Sequence, residues 1–222
     1  MKKSISLSLS FFTILFFNGT ISAVGLGITF PYGFGEGKYE QNKVEDASQI
    51  GINFVFDTNV AKKSKLSYRL NLGIEYFNHN YKYKSESWDP YGNYSVTYYH
   101  GSQNGLRLVS DHTFCIGIYR SPIVGLWFGP NARLGYFSGD DSAITWGFGL
   151  TFLGLNVNLG RIFTLSLETG YLYNTESYFD DGLHIEYSDD PVGRFYDEYS
   201  QTGITKMYVA KISILFRMND VY

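Results

Sequence analysis

The stretch LSYRLNLGIEY, Leu66 to Tyr76, decides how this chain folds. Large apolar residues take every second position (Leu66, Tyr68, Leu70, Leu72, Ile74, Tyr76), and Ser67, Arg69, Asn71, Gly73 and Glu75 stand between them. A period of two belongs to an extended strand, whose successive side chains point to opposite faces. The strand has one apolar and one polar face, and everything downstream depends on which of them looks inward.

The alternation recurs along the chain. Val24, Leu26, Ile28 and Phe30 oppose Gly25, Gly27 and Thr29; Ile50, Ile52, Phe54 and Phe56 oppose Gly51, Asn53, Val55 and Asp57. After the quoted stretch, Leu106, Leu108, Phe114, Ile116 and Ile118 oppose Arg107, Asp111 and Cys115, and Leu126, Phe128, Leu134 and Tyr136 oppose Asn131, Arg133 and Gly135. Ile144, Trp146, Phe148, Leu150 and Phe152 oppose Thr145, Gly147, Gly149 and Thr151. Phe163, Leu165, Leu167, Tyr171 and Tyr173 oppose Thr164, Ser166, Glu168 and Gly170, and Tyr208, Ala210, Ile212, Ile214 and Phe216 oppose Lys211, Ser213 and Arg217. Together with the opening stretch these predict eight strands.

Connection lengths alternate as well. Those around Asn59 to Lys65, Ser121 to Gly125 and Asn158 to Arg161 are short, as is Gly139 to Ser142; those over Pro31 to Ala47, Ser85 to Gln103 and Thr175 to Thr202 read as long loops. Short turns at one end and long connections at the other mark an up-and-down membrane barrel, with turns in the periplasm and loops outside. Within the second long connection, Tyr81, Tyr83, Tyr94, Val96 and Tyr98 continue the alternation around the turn sequence Asp89 to Asn93, which predicts an extended hairpin. Ten strands follow if a loop folds back as another pair.

A soluble barrel puts its apolar face inside, and a membrane barrel inverts this. The polar face here is rich in Gly, Thr, Ser and Asn with isolated charges, not dense in Lys and Glu as a watered surface is. Eight strands enclose a space only just wide enough for side chains, so the small polar residues fit inside and the large aromatic face does not. Arg69 and Glu75 are therefore assigned to the interior, and Leu70, Leu72 and Ile74 to lipid. Charged residues make up only 18% of the chain, while 20 tyrosines, 18 phenylalanines and 24 glycines suit strands and turns better than helices.

The N-terminus reads differently. Lys2 and Lys3 precede an apolar run from Ile5 to Phe17 and a polar segment ending at Ala23, the order of a secretory signal peptide over residues 1–23. The barrel domain is then 24–222. Cleavage removes two lysines and takes the net charge from −3 to about −5. Cys115 is the single cysteine, so no internal disulfide can form.

The interior charges, Arg69, Glu75, Arg107, Asp111, Arg133, Glu168, Lys211 and Arg217, together with Asp57, are expected to form a salt-bridge network that plugs the barrel, because ions kept from water must be paired. Glu168 and Lys211, on neighbouring strands, are the favoured pair. The last long connection carries Glu176, Asp180, Asp181, Glu186, Asp189, Asp190, Asp197 and Glu198 against Arg194, which reads as a solvated acidic surface loop without EF-hand spacing. Its aromatics suit protein contact, so Tyr178, Phe179, Asp180, Asp181, Asp189, Asp190, Tyr196 and Tyr199 are the candidate binding residues.

Other motifs carry less. His100 and Ser102 share a face, but with Asp89 to Asn93 as the turn the acid Glu86 does not lie opposite His100; Lys82 does, and a triad needs its acid within reach of its base. GFGEGKY, Gly33 to Tyr39, lacks the spacing of a phosphate loop. His79, His112 and His184 are too scattered for a metal site. Tyr68, Tyr76, Tyr136, Trp146, Tyr171 and Tyr173 are expected at the membrane interfaces.

The eight two-faced strands, the alternating connections and the last strand, YVAKISILFRM, resemble the small eight-stranded outer-membrane proteins of the OmpA-like and OmpX/Ail-like kind. The likeness covers nearly all of the mature chain and lies in pattern more than in identical residues. In such proteins alternate apolar residues lead to a closing aromatic that serves as an assembly signal; Phe216 matches that role, with six residues after it. The resemblance implies insertion by the outer-membrane assembly machinery and a role at the cell surface.

The expectation is thus an all-β, eight-stranded antiparallel up-and-down transmembrane barrel with a plugged interior and external binding loops, serving adhesion, surface interaction or envelope integrity. A narrow channel for ions or small solutes is the alternative, and a lipid A-modifying enzyme the third reading. Partners are outer-membrane lipid and lipopolysaccharide, the assembly machinery and an extracellular protein ligand at the loops. Nucleic acid is not expected, because its phosphates are repelled by the acidic loop. The chain is expected to act as a monomer, and no catalytic residue, cofactor or metal is assigned.

Overall fold

In the computed structural model, which describes residues 25–39, 42–58, 65–88, 91, 94–139, 142–179 and 202–218, the alternating segments are eight antiparallel strands. They are β1 (Gly25–Tyr39), β2 (Asn42–Asp57), β3 (Leu66–Trp88), β4 (Tyr94–Arg120), β5 (Val124–Gly139), β6 (Ser142–Leu159), β7 (Phe163–Phe179) and β8 (Thr202–Arg217). Each pairs with its neighbours in sequence, and β8 returns to β1 from Gly25↔Arg217 to Tyr39↔Gly203 without a register shift. Closure leaves the barrel no edges, so within it each strand is paired on both sides.

The period of two translates directly into an inside and an outside. Arg69, Asn71, Glu75 and Phe77 are buried, whereas Leu72, Ile74 and Tyr76 are exposed on the outer wall. The same holds on β8, where Lys211, Ser213 and Leu215 point inward between exposed Tyr208, Ile212, Ile214 and Phe216. Where the phase must be corrected, the ladder shifts. Between Thr151 and Leu153 of β6 the pairing with β7 slips, so that Phe152 and Leu153 both face outward and Gly154 and Asn156 turn inward.

The expected long loop over Pro31 to Ala47 is corrected: β1 and β2 stay paired as far as Tyr39↔Asn42. Glycine in this stretch serves a close approach between strands. A Cβ at Gly35 would lie 1.9 Å from the Lys206 carbonyl oxygen across the β1–β8 seam. The connection assigned from Thr175 is likewise shorter at its start, since β7 runs on to Phe179. Conversely, β3 and β4 remain paired out to Trp88↔Tyr94, beyond the last pairs with β2 (Lys43↔Lys82) and β5 (Gly105↔Gly139), so this hairpin rises above the barrel. The end bearing it is called the loop end. At the opposite, turn end, Gly160 takes a left-handed φ of 68° in the tight turn between β6 and β7.

Outward rings mark two levels. Toward the turn end Phe163 and Phe216 pack with centroids 4.8 Å apart, and Tyr68 and Phe114 at 5.6 Å. Toward the loop end Tyr208 touches Tyr171 at 5.3 Å and Phe34 at 5.9 Å. Between the levels the wall is aliphatic and phenylalanine-rich around the circumference, with Ile28, Phe30, Ile52, Phe54, Leu72, Ile74, Leu108, Leu134, Phe148, Leu150, Leu167, Ile212 and Ile214 all exposed.

Residues 1–24, which include the expected signal peptide 1–23, lie outside the described residues, as do 180–201.

Candidate functional site

The lumen is where chemistry-bearing side chains converge. Five cations (Arg69, Arg107, Arg133, Lys211, Arg217) and five anions (Asp57, Glu75, Asp111, Glu168, Glu176) are buried in the described residues, so their formal charges cancel. They arrive from several strands because each occupies an inward parity position, and they meet in tiers.

Nearest the turn end, Arg69 of β3 donates to Asp57 Oδ2 of β2 at 2.8 Å and to Ser166 Oγ of β7 at 3.0 Å, and forms an ion pair with Glu168 of β7. Its guanidinium lies 5.3 Å from the ring centroid of Trp127, which is buried and donates through Nε1 to Asn156 Oδ1 at 3.4 Å. Arg217 stands at this end too: it donates to the Gly160 carbonyl, and its ladder partner Gly25 is shared with Asp57.

The middle tier is built on Arg133 of β5. It donates from Nε and Nη2 to the two oxygens of Asp111, at 2.6 and 2.9 Å, and from Nη1 and Nη2 to those of Glu75, at 2.8 and 3.0 Å. Nη1 also reaches Gln49 Oε1 at 3.2 Å. Lys211 of β8 donates from across the lumen to Asp111 Oδ2 at 3.1 Å. Toward the loop end Arg107 pairs with Glu176 and lies 3.8 Å over the ring of Phe77, whose edge meets Phe137. Ala47, Phe77, Phe137, Ala143, Leu172, Met207 and Val209 form an apolar cluster there.

Two assignments change. Glu168 and Lys211 are ladder partners, yet they do not pair: Glu168 turns to Arg69 and Lys211 to Asp111. Side chains in a narrow barrel reach across the lumen, and the guanidinium offers the carboxylate a better partner than its ladder neighbour does. Glu176, counted with the acidic loop, lies inside on β7, fully buried against Arg107. Of the candidate loop residues, Tyr178 and Phe179 end β7, and Asp180, Asp181, Asp189, Asp190, Tyr196 and Tyr199 lie outside the described residues.

Along the β3–β4 ladder His100 pairs in register with Lys82, Ser102 with Asn80, and Glu86 with Val96. A different trio meets instead: Tyr68 Oη lies 2.6 Å from His112 Nδ1, and Ser110 Oγ 2.9 Å from His112 Nε2. A neutral imidazole has one donor and one acceptor nitrogen, and the two hydroxyls satisfy both. The reading of the sequence missed this trio and Trp127. Ser110 and His112 at i and i+2 were a visible signal, but Tyr68 joins them only through the β3–β4 register.

No protein-family model and no curated protein matches the chain. Among solved structures it is similar to the outer membrane protein OprG from Pseudomonas aeruginosa, with a TM-score of 0.53 and 11% identity over 89% of this chain and 96% of that one. Neisserial surface protein A matches with a TM-score of 0.40 and 10% identity, over 86% of this chain and 97% of its own. Ail of Yersinia pestis matches with a TM-score of 0.29 and 12% identity, over 88% and 99%. By strand number, closure and the likeness to OprG, the chain has the fold of the small eight-stranded outer-membrane β-barrels.

Proposed function

We propose that the chain spans the outer membrane of a bacterium as a closed barrel, with short turns and termini in the periplasm and long connections outside, and that it works by binding at the cell surface, in adhesion, surface interaction or envelope integrity. The observation that carries this reading is the inversion of the barrel: bulky apolar side chains ring the outside while charges are buried and paired within. From Phe216 to Tyr208 is eight positions of β8, about 26 Å of strand and about 20 Å along a barrel axis tilted by about 40°. With the rings extending past both levels, that suits an apolar belt of about 25 Å. Partners are outer-membrane lipid and lipopolysaccharide, the assembly machinery during insertion, and an extracellular protein ligand at the loops.

Fractionation followed by a detergent gel of boiled and unboiled samples tests the placement. A heat-dependent mobility shift in the outer-membrane fraction is expected, and recovery in the soluble periplasm without a shift refutes it. Deleting residues 178–199 is expected to abolish binding to host or envelope proteins and to spare the shift; binding that survives the deletion moves the interaction elsewhere.

A narrow channel is the second reading, favoured by buried polar atoms in the lumen without protein partners, such as those of Asn174 and Thr145. Steady single-channel steps in a planar bilayer would establish it over the plug. Lipid A modification is the third, and loss of an acyl chain from lipid A that Ser102→Ala abolishes would support it.

A further inference from the structure

The tiers built on Arg69 and Arg133 share no direct contact among the side-chain bonds described above. Between them lies a cavity of about 20 Å³, lined in part by Asp111, Asn131, Thr151, Glu168 and Lys211. Three polar groups at its wall have capacity left over. Glu168 gives one oxygen to Arg69, and its Oε2 is buried without a protein partner. Asn131 Oδ1 is in the same position. Lys211 Nζ carries three donors and uses one of them, on Asp111. A buried carboxylate oxygen left unsatisfied is costly, and native interiors meet such groups with protein or with ordered water.

We propose that this cavity is a binding site for a single water molecule, which accepts from Lys211 Nζ and donates to Glu168 Oε2 and to the Asn131 amide. The volume suits one water, and three partners are what a buried water typically has. A cation is disfavoured by the ammonium at the wall, and a larger solute by the volume. Water also tolerates either orientation of the Asn131 amide, since it both donates and accepts.

The bound water has a structural consequence. It bridges Glu168 and Lys211, the ladder partners that make no direct pair, and so joins the two tiers into one network running from Asp57 through Arg69, Glu168, water, Lys211 and Asp111 to Arg133 and Glu75. The site depends on the lumen alone and is independent of what the loops bind.

The test is a crystal structure of the detergent-solubilised full barrel at a resolution that shows ordered water, for the native chain and for Asn131→Leu. A density peak within about 3.2 Å of Lys211 Nζ, Glu168 Oε2 and the Asn131 amide is expected in the native protein and its loss in the variant. A native cavity without a peak, or Nζ in direct contact with Glu168, overturns the proposal. Should the variant fail to fold, NMR of the native barrel in micelles decides: cross-relaxation between a long-lived water and the Lys211 ammonium supports the site, and its absence refutes it.

Discussion

Replacing Arg133 distinguishes a closed lumen from a wet one. All five N–H donors of its guanidinium are engaged, two on Asp111, two on Glu75 and one on Gln49. Arg133→Met keeps much of the aliphatic volume and removes the charge. Glu75 would then retain the contact from Asn53 Nδ2 at 3.5 Å, and Asp111 the one from Lys211 at 3.1 Å. Removing one partner of a buried ion pair leaves the other charge uncompensated in low dielectric, at a cost of about 3 to 5 kcal/mol. Arg133→Lys preserves the charge but has three donors for five acceptor contacts, so at least two bonds are lost, together about 2 to 4 kcal/mol. Adding Glu75→Gln to Arg133→Met removes one stranded carboxylate and recovers part of the loss. The assay is urea unfolding of the purified barrel refolded in micelles, followed by tryptophan fluorescence and by the folded and unfolded gel bands. A loss of 3 kcal/mol lowers the folding equilibrium constant by about two orders of magnitude. If Arg133→Met costs less than about 1 kcal/mol, the range of solvent-screened pairs, Glu75 and Asp111 are hydrated and the closed interior is wrong.

Other perturbations address the wall and the turn end. Ile212→Arg places a charge on the lipid face midway between the ring levels of Phe216 and Tyr208 and should cost about 2 to 4 kcal/mol in the same assay in vesicles. Ser138→Arg, exposed near the loop end, should cost about 1 kcal/mol or less, and equal costs would refute the assignment of depth. Trp127→Ala removes the ring that fills the lumen between Arg69 and Gly154 and should cost about 3 to 5 kcal/mol; a change below about 1 kcal/mol would mean that the ring supports neither.

The apolar outer wall and the charged lumen are two consequences of one constraint. In a hydrocarbon layer every backbone donor and acceptor must be satisfied within the protein, and a closed barrel does so with polar side chains shielded inside. Polar groups on the wall are then tolerable where they satisfy each other, as Tyr68, His112 and Ser110 do. Inside, the guanidinium groups of Arg69 and Arg133 serve better than ammonium groups, because each reaches carboxylates from more than one strand at once.

Much of this was legible in the residues themselves. The inward positions of Arg69, Glu75, Arg107, Asp111, Arg133, Glu168 and Lys211 follow from parity, which is local: a strand's side chains alternate whatever its neighbours do. Their partners were not legible. Arg69 finds Glu168 and Lys211 finds Asp111 across about a hundred residues of chain, and which charges meet is set by the stagger of the strands and the width of the lumen, quantities that exist only once the sheet has closed. The same reason hid Glu176, whose place just before a run of acidic loop residues gave no sign that β7 continues past it; Trp127, by contrast, shares the inward parity of Asn131 and Arg133 on β5 and was open to the same local reading. Alternation along the chain settled which face each residue belongs to; closure of the barrel decided who meets whom inside it.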